Sequence, residues 1–395
     1  MEISTFFIYS NSFIKGIYLG IFIYNLMGEF MKTLILILTF LSLNVRKNSF
    51  DISDCKSAIL VETESGQIIY ENNKDERLRI ASMTKIMTMT LILEEINKGK
   101  LSFDDVLTTS KNAASQTGSR IFLSLNEKMS VYDLLKGIAV ASANDASVLL
   151  AEHIGGNVSG FVDMMNEYAN NLGLKNTHFS DPTGLSDENH YSSSHDMAIM
   201  ACNLINKFPN ILDFTKIYQD YLRKDSNNPF WLVNTNKLVR FEEGVDGLKT
   251  GWTEKSGYCL TATKKVNNMR LVGVIIGSSS AKQRNADMVS MLNYGFSNYS
   301  NELILENNKI IKKMYDFKYY PPQYNLVIDK DIYLLKGKNM DMSKLKYKEN
   351  IKDEYIDVYY DDALIKRCDL MSDRKLKKAS FFEKFKGLID EIIRL

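Results

Sequence analysis

Two short apolar runs, "SAILVE" (57–62) and "QIIYE" (67–71), flank the turn-forming "TESG" and predict a β-hairpin. The period then changes. From Ser82 onward, apolar residues at Ile86, Met89, Leu91, Leu93 and Ile96 predict a helix that is apolar nearly all round, and so buried in the centre of a domain. Apolar spacing of three and four persists to about residue 207, in "VYDLLKGIAVAS", "DASVLLAEHI", "FVDMMNEYANNLG" and "HDMAIMACNLINK". Strand-like runs return in "GVDGLKTGWT", "YCLTATKKV" and "MRLVGVIIGS", and the helical "RNADMVSMLNYGF" follows. Strands at both ends with helices between predict an α+β domain over 51–297, its sheet assembled from distant segments.

After Phe296 the pattern becomes strand-like: "KIIKKMYDF", "YNLVIDKDIYLL" and "YIDVYYDDALIKRCDL" predict a small β-rich domain over 298–370, with Pro321-Pro322 at a turn. The tail, 371–395, is a separate unit. In "FFEKFKGLIDEIIRL", Phe381, Phe382, Phe385, Leu388, Ile389, Ile392 and Ile393 share one helical face, and the segment carries seven Lys/Arg against four Asp/Glu. A basic amphipathic helix of this kind lies in an anionic membrane surface or packs back on the protein; signs of export favour the membrane.

Those signs are at the other end. "MKTLILILTFLSLN" begins at Met31 with a lysine and an apolar run of signal-peptide length, so 1–50 is read as a signal or anchor segment and 31–45 as its apolar core. Met31 competes with Met1 as the true start. Cys55 is not a lipid-attachment site, because Asp54 precedes it and the apolar run ends too early. A net charge of +1 advertises no nucleic-acid partner. The four cysteines are scattered singly and the four histidines form no H-E-x-x-H, so neither a metal site nor a cofactor is indicated. Of His190 and His195, one is read as a structural hydrogen-bonder in a loop and the other as the start of a helix.

The chemistry is in three short motifs. Ser82 and Lys85 form S-x-x-K, and on a helix the lysine amine lies one turn on, within reach of the hydroxyl. A buried lysine loses its charge readily and can take the proton that makes serine a nucleophile. Alone, S-x-x-K is a weak signal and reads better as an N-cap followed by a surface lysine. Ser142-Ala143-Asn144 follows 60 residues later, just ahead of a helix, and Lys249-Thr250-Gly251 a further 107 residues on, in a strand pattern. The ordered set is not accidental.

With these three motifs the chain resembles the penicillin-recognising serine enzymes. Residues 161–201, together with "AASQTGSRIFL" and "MLNYGF", are similar to the D-alanyl-D-alanine carboxypeptidases among the low-molecular-mass penicillin-binding proteins. The resemblance implies a β-lactamase/transpeptidase-like domain, an antiparallel sheet with a helical subdomain, then a β-rich domain and an amphipathic anchor. It implies an exported enzyme at the outer face of the cytoplasmic membrane. Its substrate would be the peptidoglycan stem peptide ending in D-Ala-D-Ala, and β-lactams its covalent inhibitors. Ser82 would be the nucleophile, Lys85 the base, Ser142 the proton shuttle and Asn144 the group orienting Lys85 and the substrate amide. Lys249 would keep the site positive, Thr250 would bind the terminal carboxylate and Arg284 would be a second carboxylate-binding cation. Gly251 would let substrate lie along the strand, and the N–H groups of Ser82 and Trp252 would form the oxyanion hole. Ala143 and Trp252 depart from the commoner glycine and histidine or tyrosine. Three alternatives stand beside this reading: a β-lactamase using Glu167 and Asn171, an endopeptidase of D-Ala cross-links, and a scaffold with a decayed site.

Overall fold

The computed structural model describes residue 52, residues 54–185 and residues 189–394, so the export segment expected at 1–50 lies outside the described residues. The hairpin is present: β1 (Ser57–Glu62) and β2 (Ile68–Asn72) pair antiparallel. Three long strands from the far end of the domain complete the sheet, β3 (Val245–Thr253), β4 (Gly257–Val266) and β5 (Met269–Ser278). Their order is β2-β1-β5-β4-β3, antiparallel throughout, with Ala58 opposite Ile275. Strand β1 is buried along its whole length because both sheet faces are covered, which is why its sequence is a continuous apolar run.

The helices are α1 (Lys85–Asn97), α2 (Val131–Ala141), α3 (Asn144–Gly155), α4 (Val158–Asn171), α5 (Ser194–Lys207) and α6 (Ala281–Asn298). On one sheet face Ile59, Val272 and Val274 join a core with Ile86, Ile138, Leu150, Met165 and Met200 of the first five helices. On the other face α6 closes tightly. A Cβ at Gly273 would stand 2.6 Å from Met288 Sδ, and one at Gly295 would stand 2.5 Å from Leu271 Cδ1. Residues 85–95 of α1 are all buried, as an all-round apolar helix requires.

One boundary differs from expectation. Ser82 does not open an α-helix: Ala81–Thr84 is a 3₁₀ turn and α1 begins at Lys85. The turn is closed by a bond spanning three residues, Met83 N to Ile80 O at 3.1 Å, and its first residue, Ala81, lies in the left-handed region at φ 47°.

Beyond α6, β6 (Tyr299–Leu305) leads into β7 (Ile310–Tyr315), β8 (Gln323–Ile328), β9 (Ile332–Gly337), β10 (Leu345–Asn350), β11 (Tyr355–Tyr360) and β12 (Ala363–Ser372). Strand β6 pairs with β9, and a second sheet runs β7-β8-β12-β11-β10. Leu305, Leu326, Ile328, Ile356, Val358 and Leu370 form a hydrophobic cluster of their own. Strands β6 and β10 were not anticipated. Each is bonded on one side only and half solvated, so it carries little apolar signal. The tail helix, α7 (Phe381–Arg394), rests on this part through Gly387, whose carbonyl accepts from Tyr315 Oη at 3.2 Å. Its apolar face turns outward: Phe381, Phe382 and Phe385 are 78%, 82% and 58% exposed.

Candidate active site

The 3₁₀ turn carrying Ser82 is clamped between two glycines. A Cβ at Gly184 would meet Ala81 O at 1.9 Å, and one at Gly251 would meet Ile80 O at 2.5 Å and Met83 N at 3.3 Å. This close approach holds Ala81 in a conformation that costs an alanine about 1–3 kcal/mol. The missing side chain at Gly251 makes room for the serine turn packed against the strand.

Lys85 Nζ lies 3.0 Å from Ser82 Oγ, and it donates to Asn144 Oδ1 at 2.7 Å and to the Thr183 carbonyl at 2.8 Å. The side chain is fully buried, and burial pushes its pKa down to about 7, partly opposed by the Asp181 and Asp145 carboxylates. A neutral amine has two N–H bonds and one lone pair. With both N–H bonds directed at neutral oxygens, the lone pair faces the serine hydroxyl.

Asn144 is fixed from its other side, Nδ2 donating to Thr117 O at 2.7 Å and its backbone N–H to Ser119 O at 2.7 Å. Ser142 ends α2 at φ 62°, again left-handed, and its buried Oγ has no hydrogen-bond partner among the described residues. Neither Ser82 nor Lys249 is bonded to it.

Strand β3 is the edge of the sheet, so its outer backbone groups are open to pairing. Lys249 is buried, and its Nζ donates to Thr250 O at 3.0 Å. Burial, then Lys85 and Arg284, push its pKa well down. Thr250 Oγ1 donates to Thr235 Oγ1 at 2.8 Å, and Trp252 stands at the rim, 57% exposed. Arg284 is only 5% exposed and is not hydrogen-bonded to residues 249–252 among the described residues. It donates to Cys259 O at 3.3 Å and to Asn285 Oδ1, so it reaches Lys249 through its field alone.

Sequence reasoning missed Thr183, Gly184, Asp181 and Thr235. Asp181 Oδ1 accepts from Thr183 N, Thr183 Oγ1 and Gly184 N at 2.6–2.7 Å, folding "DPTG" into the turn that delivers the Thr183 carbonyl to Lys85. The turn is legible as Asp-Pro-Thr-Gly; its position beside Lys85 is not. The β-lactamase alternative loses its residues, because Glu167 and Asn171 are exposed while Phe161, Met165 and Ala169 hold the buried face of α4. His190 is the loop hydrogen-bonder, and His195 lies in the first turn of α5.

Comparison with known proteins adds an independent line. A family model described as D-alanyl-D-alanine carboxypeptidase matches residues 44–280. The D-alanyl-D-alanine carboxypeptidase DacF of Bacillus subtilis is 48% identical over 300 residues, 76% of this chain and 77% of its own. DacA of Escherichia coli, of the same description, is 35% identical over 71% of this chain and 70% of its own. Among solved structures, penicillin binding protein 5 from Haemophilus influenzae superposes with a TM-score of 0.72 at 31% identity, covering 84% of this chain and 99% of that one.

Proposed function

Because the chain belongs to the D-alanyl-D-alanine carboxypeptidase family, it is a serine peptidase of that class, and we propose that Ser82 and Lys85 are its nucleophile and base. Lys85 takes the Ser82 proton as Oγ attacks the carbonyl carbon of the penultimate D-Ala. The backbone N–H groups of Ser82 and Trp252 hold the oxyanion, each such donor contributing about 3–4 kcal/mol. The buried, unpaired Ser142 hydroxyl passes a proton to the leaving amine of the terminal D-Ala, and water then releases the acyl group from Ser82.

The free carboxylate of the substrate is bound by the Thr250 hydroxyl, which turns its proton from Thr235 Oγ1 to the carboxylate, while Lys249 and Arg284 supply positive potential. Burial, and then the neighbouring Lys85 and Arg284, disfavour charge on Lys249, and an arriving carboxylate offsets that cost. The substrate backbone adds to the open edge of β3. β-Lactams enter by the same acylation and act as covalent inhibitors.

The observation that carries this reading is the three-way environment of Lys85 Nζ, two carbonyl oxygens and Ser82 Oγ within 3.0 Å. Mass spectrometry after incubation with penicillin tests it. A single adduct on the peptide containing Ser82, absent from Ser82→Ala, is the expected result; an adduct elsewhere, or none, refutes it.

The β-rich segment 298–370 is proposed as a second domain between the catalytic domain and the membrane, on the support of its own buried cluster. The outward apolar face of α7 supports docking on the outer surface of the cytoplasmic membrane. Among the described residues no helix is long and apolar enough to cross one.

A further inference from the structure

We propose that His190 is a positioning residue: through the Thr84 hydroxyl it holds the Ala81 carbonyl and so keeps the Ser82 turn in its strained shape. The inference rests on Ser82 as the nucleophile. His190 touches neither Ser82 nor Lys85 by a hydrogen bond, and the mechanism above makes no use of it.

The direction of the linkage follows from its end points. The Ser180 N–H donates to His190 Nδ1 at 3.1 Å, so Nδ1 carries no proton and Nε2 does. Nε2–H therefore donates to Thr84 Oγ1, 2.6 Å away, and the Thr84 hydroxyl donates to Ala81 O at 2.9 Å. All three donors point the same way, towards the residue before the nucleophile. Ala81 needs such a restraint, since φ 47° is unfavourable for any residue with a Cβ. The ring is 2% exposed and packs edge-on against Phe179 at 5.7 Å between centroids. Burial lowers its pKa to about 4; the Asp181 carboxylate opposes that shift, while His178, Lys85 and Arg79 add to it. It is therefore neutral near neutral pH, as the donor pattern requires. A threonine hydroxyl alone could cap Ala81 O, but its rotor would be free; the imidazole N–H fixes it.

The test uses the full chain and the rate of acylation by a fluorescent penicillin, separated into non-covalent binding and the bond-forming step. Thr84→Val is isosteric and is expected to slow the bond-forming step roughly 10- to 100-fold with little change in binding, as misplacement of a reacting atom does. Thr84→Ser is expected to restore it to within about threefold, because it keeps the hydroxyl. His190→Leu should slow the same step, and the double variant Thr84→Val/His190→Leu should lose no more than Thr84→Val alone, as one linkage broken twice.

Should either apolar variant fail to fold, His190→Gln and His190→Asn decide. Glutamine places an amide N–H near the position of Nε2 and asparagine near that of Nδ1, so glutamine should acylate faster. Rates within about twofold of wild type for Thr84→Val and His190→Leu, fully additive losses, no rescue by serine, or asparagine equal to glutamine would each overturn the proposal. Wild type that acylates at Ser82 while the linkage variants keep its rate removes only this inference; wild type that does not acylate at Ser82 removes the nucleophile assignment and the inference with it.

Discussion

Lys85 can act as a base only if its amine reaches the hydroxyl uncharged, and burial among neutral oxygens makes that possible near pH 7. The acylation rate should therefore rise as pH climbs through about 7 and level off above it, measured with penicillin under pseudo-first-order conditions. Stability has the same sign. The folded pKa lies below the ordinary 10.5, so between about 7 and 10.5 the unfolded chain binds the extra proton and folding gains as pH rises. Lys85→Arg keeps a charge that cannot be shed, and should cut acylation by about 100- to 10,000-fold. Gly184→Ala tests the clamp on the same turn. Its Cβ would stand 1.9 Å from Ala81 O at a φ of 85°, so both the melting temperature and the acylation rate should fall.

At the scale of elements, periodicity was a sound guide wherever a face is buried. The hairpin, α1 to α6 and the three long strands were all legible: β1, the long strands and α1 to α5 contribute apolar residues to the core on one sheet face, and α6 buries Met288, Met291 and Leu292 against the other. The short hairpin Gln219–Leu222 with Phe230–Val233, and strands β6 and β10, were not legible, since few of their side chains are buried. The 3₁₀ turn was hidden too, because nothing about an alanine signals a positive φ. Helix α7 gives a prediction of its own. Replacing Phe381, Phe382 and Phe385 with serine should abolish sedimentation with anionic lipid vesicles and leave penicillin acylation in solution unchanged, because these rings face outward and lie on a separate element from the site. Retained sedimentation would place the membrane contact elsewhere.

The whole molecule brings one sheet edge, one strained turn and one loop together, and what it leaves out bears on the fate of the acyl-enzyme. The carboxylate suggested for rapid deacylation, Glu167, points to solvent on α4. A penicilloyl ester on Ser82 should therefore persist after free penicillin is removed; fast return of free enzyme with multiple turnovers of penicillin would favour the β-lactamase reading. The sequence by itself determined the S-x-x-K pair proposed as nucleophile and base, Ser82 and Lys85, the S-x-N and K-T-G motifs that follow, and the amphipathic tail. These rest on side-chain identity and short spacings, which the chain carries locally. Only the tertiary structure decided that a backbone carbonyl at Thr183 and two glycines, Gly184 and Gly251, shape the surroundings of Ser82 and Lys85, and that Lys85 loses its charge near pH 7. Carbonyls are the same in every residue and burial belongs to the packed assembly, so neither leaves a mark in the order of amino acids.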